Sequence, residues 1–296
     1  MNSTQFYGTH TAMVTPLLKD QICYQDIDKL VDFQIESGIS GLVAVGTTGE
    51  SPTLSHSEHV EVVRAMVQAA DKRVPVIAGA GSNSTAEAVE LTQKCAAAGA
   101  DALLHVTPYY NKPSQEGLFR HLSAVAEATD KPIILYSIPG RCIIEFAVDT
   151  CARLYEKYPH VLGIKESGGS NDKVDELRRK LGPDYLILSG EDENTLPYMT
   201  LGCQGVISVA SNIWAKELVQ MVTHARNNNF AAAMEVNLRL RAVFKNIFLE
   251  PNPVPIKYLM AQLDMISSAE VRLPLCELAA ATKTILDAML KEMQMK

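Results

Sequence analysis

The chain of 296 residues is poor in the features that mark several specialised protein classes. It has one tryptophan, and aromatic residues make up only 6% of it. It has no basic run and no patch of interleaved basic and aromatic residues, and its formal net charge is −7, which argues against a nucleic-acid partner. No run of about 18 apolar residues occurs, so no membrane span is expected. The amino-terminal MNSTQFYGTH has no basic segment leading into an apolar one, so no signal peptide is expected. The six cysteines, Cys23, Cys95, Cys142, Cys151, Cys203 and Cys276, form no CxxC pair. In a chain of this size they read as reduced thiols of a cytoplasmic protein. A Pro/Gly/Ser-rich linker is also missing.

What is present is ordinary globular composition, 47% hydrophobic and 21% charged, in a chain long enough to bury a large core unaided. One pattern repeats along it. Short apolar segments begin at Thr9 (THTAMV), Gly41 (GLVAVG), Pro75 (PVIAGA), Asp101 (DALLHV), Pro132 (PIILYS), Val161 (VLGIK), Tyr185 (YLILS) and Gly205 (GVISV). Their starts lie 20 to 34 residues apart, the spacing of strand-helix units. The intervening segments carry helical periodicity. DIDKLVDFQIESG sets Ile27, Leu30, Val31 and Ile35 on one face and stops at a glycine. SHSEHVEVVRAMVQAAD opens on a serine cap, and STAEAVELTQKCAAAGAD has Ser84 and Glu87 at capping-box spacing. Strands alternating with helices imply parallel pairing and right-handed crossovers. Eight such units imply an α/β fold, a (β/α)8 TIM barrel over residues 1–226. Residues 227–296 read as a C-terminal helical extension packed on it, with helical pattern in AAAMEVNLRLRAVFKNIF and LCELAAATKTILDAMLKEM. The competing doubly wound sheet rests on GAGSNS with Asp101 beyond it, an imperfect nucleotide fingerprint in the third unit, better read as a tight loop capping a helix.

Catalytic groups of such barrels sit at the carboxyl ends of strands. Those ends read GTTGES, TPYYNKP, YSIPGR, IKES and SGED. In VLGIKESGG, Lys165 arrives at the end of an apolar strand with no polar lead-in. Burial disfavours the charged form of a lysine, and a neutral amine attacks a ketone to give an imine, which acidifies the adjacent carbon. The plain alternative is a lysine paired with Glu166. Tyr136 ends the neighbouring strand and can carry protons, or can be a core tyrosine. Thr47 and Thr48 offer hydroxyls and amides to a carboxylate, or simply form a turn. Arg141 offers a guanidinium suited to bidentate carboxylate binding, or is a solvated loop residue. Other lysines fit the nucleophile less well. Lys131 precedes its strand, Lys112 lies in a polar loop, and Lys257 follows PNPVP at a helix start where its stem can snorkel.

Taken together, GTTGES, TPYYNKP, YSIPGR, GIKES and PNPVPIK resemble the dihydrodipicolinate synthase branch of the lysine-dependent pyruvate aldolases, the superfamily of N-acetylneuraminate lyase. The resemblance runs from GTHTAMVTP to VRLPL. It implies condensation of pyruvate with L-aspartate 4-semialdehyde, on the route to diaminopimelate and lysine, with no metal and no organic cofactor. It implies Lys165 as the imine-forming lysine, Tyr136 as the proton shuttle, and Thr47 as its link to Tyr110, which reaches into a neighbouring subunit's site. It implies Thr48 as a pyruvate ligand, Arg141 as the receiver of the semialdehyde carboxylate, and Gly190 and Ile207 as backbone contributors. The assembly it implies is a homotetramer. Ser137 and Cys142 depart from the family's usual asparagine and threonine. Arg141 separates this reading from the alternative, a pyruvate-dependent sugar-acid or sialic acid lyase on the same scaffold. A barrel that only senses lysine is disfavoured by the intact catalytic set.

His56 and His59, three apart, suggest metal ligands at first sight, but no third ligand stands at suitable spacing. The resemblance implies instead an allosteric lysine pocket at a subunit interface, formed by Ser51, His56, His59, Asn83, Glu87 and Tyr109. Pro52 departs from the small residue usual there and removes one amide.

Overall fold

The computed structural model describes residues 3–293. Eight parallel strands close a barrel: β1 (Gly8–Ala12), β2 (Gly41–Ala44), β3 (Val76–Gly79), β4 (Ala102–Val106), β5 (Ile133–Ser137), β6 (Val161–Glu166), β7 (Leu186–Ser189) and β8 (Gly205–Ser208). Each strand pairs with its neighbours in sequence, and β8 returns to β1 with Gly8 opposite Gly205. Every expected strand is present, most of them trimmed by one or two residues, while β1 begins one residue earlier and β6 ends one residue later than expected. One feature was not expected: a two-stranded ribbon (Leu17–Leu18 with Gln21–Ile22) after β1.

The outer ring is α1 (Tyr24–Glu36), α2 (His56–Ala70), α3 (Thr85–Ala97), α4 (Gln115–Ala126), α5 (Val148–Lys157), α6 (Asn171–Leu181), α7 (Thr195–Thr200) and α8 (Ser211–Arg226). Serine N-caps start α2, α3, α4 and α6, each accepting from an amide of the first turn. The box is reciprocal only at Ser55–Glu58. At Ser84 it is half made, because the Glu87 carboxylate instead accepts from the Ser82 hydroxyl at 2.7 Å. Three more helices follow: α9 (Phe230–Asn246), which packs on α8, then α10 (Val254–Gln262) and α11 (Ala280–Glu292). The last begins later than its apolar pattern suggested, with residues 275–279 outside it. One apolar layer runs without a break from the strands and α8 (Leu218, Met221) into α9 and α11 (Leu240, Phe244, Leu286).

A second, smaller apolar layer fills the barrel interior, with Val43, Ile77, Leu104, Ile134, Leu162 and Leu188 pointing in. Phe6, from the helical turn Ser3–Phe6, joins it at the amino-terminal end. The register between β5 and β6 shifts once, with Ile133 opposite Val161 but Ile134 opposite Gly163, a β-bulge at Leu162. Beyond the bulge, Tyr136 stands opposite Lys165, and Lys165 opposite the inward Leu188. Both side chains therefore face the barrel axis. The close approach at the bulge requires a glycine, since a Cβ on Gly163 would lie 2.0 Å from the Leu186 carbonyl oxygen.

Lys257 corrects its sequence reading. It does not snorkel but is fully buried, with Nζ 2.6 Å from Glu50 Oε1 and 3.0 Å from the Thr15 carbonyl oxygen. Burial lowers its pKa against the opposing pull of Glu50. Glu50 also accepts from the Arg272 amide at 3.1 Å. The loop after β2 is thereby fastened to the chain beyond α9.

Candidate active site

At the carboxyl end of the barrel a cavity of about 410 Å³ is lined by Lys165, Tyr136, Thr47, Thr48, Arg141 and Gly190, together with Ser167, Glu191 and Asn252. Lys165 is the penultimate residue of β6 and is only 6% exposed. Its Nζ lies 4.0 Å from the centroid of the Tyr136 ring. The pairing with Glu166 that sequence left open is not made. Glu166 turns to Lys173 on α6, at 2.9 Å, and Lys173 also binds Glu145 at 2.6 Å and the Ser137 hydroxyl at 3.0 Å. Among the described residues Lys165 has no carboxylate partner. Its place depends on Gly190, because a Cβ there would stand 2.8 Å from Lys165 Cε and 1.9 Å from Ser167 Oγ.

The loop after β2 is tightly wound. Val45 and Glu50 have φ of 51° and 57°, left-handed values that a β-branched valine adopts only under constraint. Its internal hydrogen bonds come from the amides of Gly49, Glu50 and Ser51. Those of Thr47 and Thr48 have no partner among the described residues. The Thr48 hydroxyl is buried and accepts from Asn252 Nδ2 at 2.9 Å. Arg141 stands exposed at the rim, on the helical turn Pro139–Cys142.

Two of the expected residues lie outside the cavity wall of this chain. Ile207 is fully buried in the inner apolar layer and is not part of the cavity wall. Tyr110 is 88% exposed, with φ of 72°, and lines neither this cavity nor the next. The two departures from the family pattern are both accommodated. Ser137 supplies an acceptor to Lys173, and Cys142 is buried in the wall of a second cavity. That cavity, of about 280 Å³, shares Thr47, Tyr136 and Arg141 with the first and extends to Ser51, Pro52 and Tyr109.

The proposed effector residues lie on the loops after β2, β3 and β4 and in the first turns of α2 and α3. Asn83 Nδ2 donates to the Tyr109 carbonyl at 3.2 Å, and Glu87 is held by Ser82. His59 is buried with Nε2 2.7 Å from the Gly79 carbonyl oxygen, and burial lowers its pKa, whereas His56 is exposed. Among the described residues, no three His, Cys, Asp or Glu side chains converge as a metal would need.

Sequence reasoning missed Glu191, Asn252 and Lys173. Glu191 stood in the SGED strand end and Asn252 in PNPVPIK, but neither motif indicated which way its side chain would turn. Burial pushes the Glu191 carboxyl up to about 7, against the pull of Lys165 and Arg141.

Comparison with known proteins gives one consistent result. Residues 5–293 match the model of the Dihydrodipicolinate synthetase family. A 4-hydroxy-tetrahydrodipicolinate synthase of Bartonella bacilliformis is 45% identical over 285 residues, covering 96% of this chain and 97% of that one. The dihydrodipicolinate synthase of Acinetobacter baumannii, solved in complex with pyruvate, superposes with a TM-score of 0.95 at 40% identity, over 98% of this chain and 99% of that one. The enzyme of Cyanidioschyzon merolae, solved with lysine bound, gives 0.95 at 37% identity, over 99% of each chain.

Proposed function

This chain belongs to the dihydrodipicolinate synthetase family and is an enzyme of that family, and we propose that it joins pyruvate to L-aspartate 4-semialdehyde through an imine on Lys165. The observation that carries this reading is the Lys165 amine, buried, without an ion pair among the described residues, and set against the Tyr136 ring in a cavity that also holds Arg141. Pyruvate binds with its carboxylate at the amides and hydroxyls of Thr47 and Thr48. The Lys165 amine attacks C2, and loss of water leaves the imine. Tyr136 moves protons to and from the carbinolamine, linked through Thr47 to Tyr110. Loss of a proton from C3 gives the enamine, whose carbon attacks the aldehyde while Arg141 holds the semialdehyde carboxylate. The substrate amine then attacks C2, Lys165 departs, and the ring closes to 4-hydroxy-tetrahydrodipicolinate. The relative solved with pyruvate supports the first substrate.

Tyr110, outside the cavity of its own chain, is assigned to a neighbour's site, which requires at least a dimer and fits a homotetramer. Sedimentation of the protein should find no monomer at assay concentration. Lysine is assigned as a feedback effector at Ser51, His56, His59, Asn83, Glu87 and Tyr109, supported by the relative solved with lysine. Unchanged rates at millimolar lysine would remove that part. The six unpaired thiols suit a cytoplasmic setting.

The chemistry is tested by borohydride reduction in the presence of pyruvate, followed by peptide mass analysis. A single pyruvyl adduct on Lys165 is expected, absent from Lys165→Ala, which should also lose turnover. An adduct elsewhere, or an active alanine variant, refutes the mechanism. Assays with sialic acid and keto-deoxy sugar acids should show no cleavage.

A further inference from the structure

The wall of the Lys165 cavity carries three charged groups, of which Glu191 is the one acid; Lys165 and Arg141 are the other two. Glu191 follows Gly190 at the end of β7 and is half-buried. Its backbone is pinned on both sides. The amide donates to Ser189 Oγ at 3.3 Å, and the carbonyl accepts from Ser189 Oγ at 2.8 Å and Thr195 Oγ1 at 3.0 Å. The adjacent Asp192 is already engaged, since its Oδ2 accepts from the amides of Val209 and Ala210 at 3.1 and 2.9 Å. Glu191 forms no ion pair and no side-chain hydrogen bond among the described residues, and the neighbouring Ser167 hydroxyl is itself buried without a partner. Burial and the neighbouring Asp192 raise its carboxyl to about 7, while Lys165, Arg141 and Ser167 work in the other direction. A carboxyl so balanced can both take and return a proton near neutral pH.

The proposed reaction needs such a group. Aspartate semialdehyde enters with an α-ammonium, which the Arg141 guanidinium would repel. That nitrogen must be neutral before it can attack C2. We infer that Glu191 is a further catalytic residue, which receives the α-ammonium of the semialdehyde and takes the proton it must lose before ring closure. This rests on the reading given under Proposed function. The carboxylate removes one proton from the ammonium, and the nitrogen lone pair then forms the bond to C2 of the iminium. Glu191 returns that proton to the Lys165 nitrogen and takes another from the new nitrogen, whose freed lone pair forms the C2–N double bond as the C2–N bond to Lys165 breaks and its bonding pair leaves with the Lys165 amine; Glu191 then releases its proton to solvent. No net proton, electron or co-reactant is consumed.

Glu191→Gln and Glu191→Asp test the assignment beside the unaltered enzyme. With pyruvate alone, borohydride should label Lys165 to the same extent in all three. With both substrates, Glu191→Gln should turn over about 100-fold more slowly. Quenching it with borohydride should trap on Lys165 an adduct carrying both substrates. The rise of rate with pH near 7 should vanish in Glu191→Gln and persist in Glu191→Asp, which should recover most of the activity. A Glu191→Gln rate within about twofold of the unaltered enzyme overturns the assignment alone. An unaltered enzyme that labels with pyruvate yet makes no product from the semialdehyde overturns the reaction itself, and this assignment with it.

Discussion

Replacing Lys257 with methionine isolates the cost of one buried charge. The side chain keeps its length and its apolar stem, so little packing is lost. What disappears is the ammonium 2.6 Å from Glu50 and 3.0 Å from the Thr15 carbonyl. Glu50 remains inside with only the Arg272 amide at 3.1 Å to solvate it. Removing one partner of a buried pair costs about 3–5 kcal/mol, because the other charge stays desolvated. For a chain of this size, each kcal/mol lowers the melting temperature by about 2 °C, so a fall of roughly 6–10 °C is expected. Urea unfolding followed by circular dichroism, at one fixed protein concentration, measures it directly. Because Glu50 closes the loop that carries Thr47 and Thr48, the half-saturating pyruvate concentration in the borohydride assay should rise as well. The double replacement Lys257→Met with Glu50→Gln removes both charges and should recover at least half of the stability. A loss below about 1 kcal/mol in Lys257→Met, or a double variant no better than the single, would refute the argument.

Three further replacements address other parts of the molecule. Gly190→Ala puts a methyl group 2.8 Å from Lys165 Cε and should slow pyruvate labelling about 100-fold with the fold intact by circular dichroism. Asn252→Ala removes the donor to the Thr48 hydroxyl at 2.9 Å and should raise the KM for pyruvate about 3- to 10-fold, with little change in kcat. Glu58 is held at about 2 by a paired contact with Arg272, at 2.7 and 3.0 Å. A carboxyl whose folded pKa is depressed adds stability above its unfolded value and loses it as pH falls. The stability gap between the protein and Glu58→Gln should therefore be full at pH 7 and should shrink between about pH 4.5 and 2, as measured by urea midpoints across that range.

The barrel was legible because strands buried on both faces become short unbroken apolar runs, and eight of them stand at one spacing. The ribbon at Leu17–Ile22 was not legible, since strands of two residues carry no period. Lys165 and Tyr136 were legible for a related reason: a strand end is where polar groups can face a barrel mouth, and each sits alone at the end of an apolar run. Lys257 was misread because its surroundings in sequence, prolines and an apolar helix, say nothing of Glu50, far away in the chain. Glu191 was hidden between Gly190 and Asp192, where local sequence cannot decide which of two adjacent acids faces the cavity and which caps the amides of Val209 and Ala210. Long-range partners settled both cases, and no local pattern encodes them.

The direction of Lys165 is itself such a case. Val161 faces the helices, and strict alternation from it would send Gly163 and Lys165 outward as well, with Ile164 turned into the barrel. The actual placement is the reverse, with Ile164 in the outer apolar layer and Lys165 opposite the inward Leu188. The change occurs at Leu162, where β6 carries one residue more than β5 and two successive positions face the same side. Gly163 permits this, because any side chain there would collide with the Leu186 carbonyl. The next pair along, Ser137 opposite Glu166, is then clamped by the single ammonium of Lys173, which holds the new register where the two strands end. The amine faces the cavity because of an irregularity three residues earlier, so it is the bulge, more than the lysine, that turns this strand end toward the cavity.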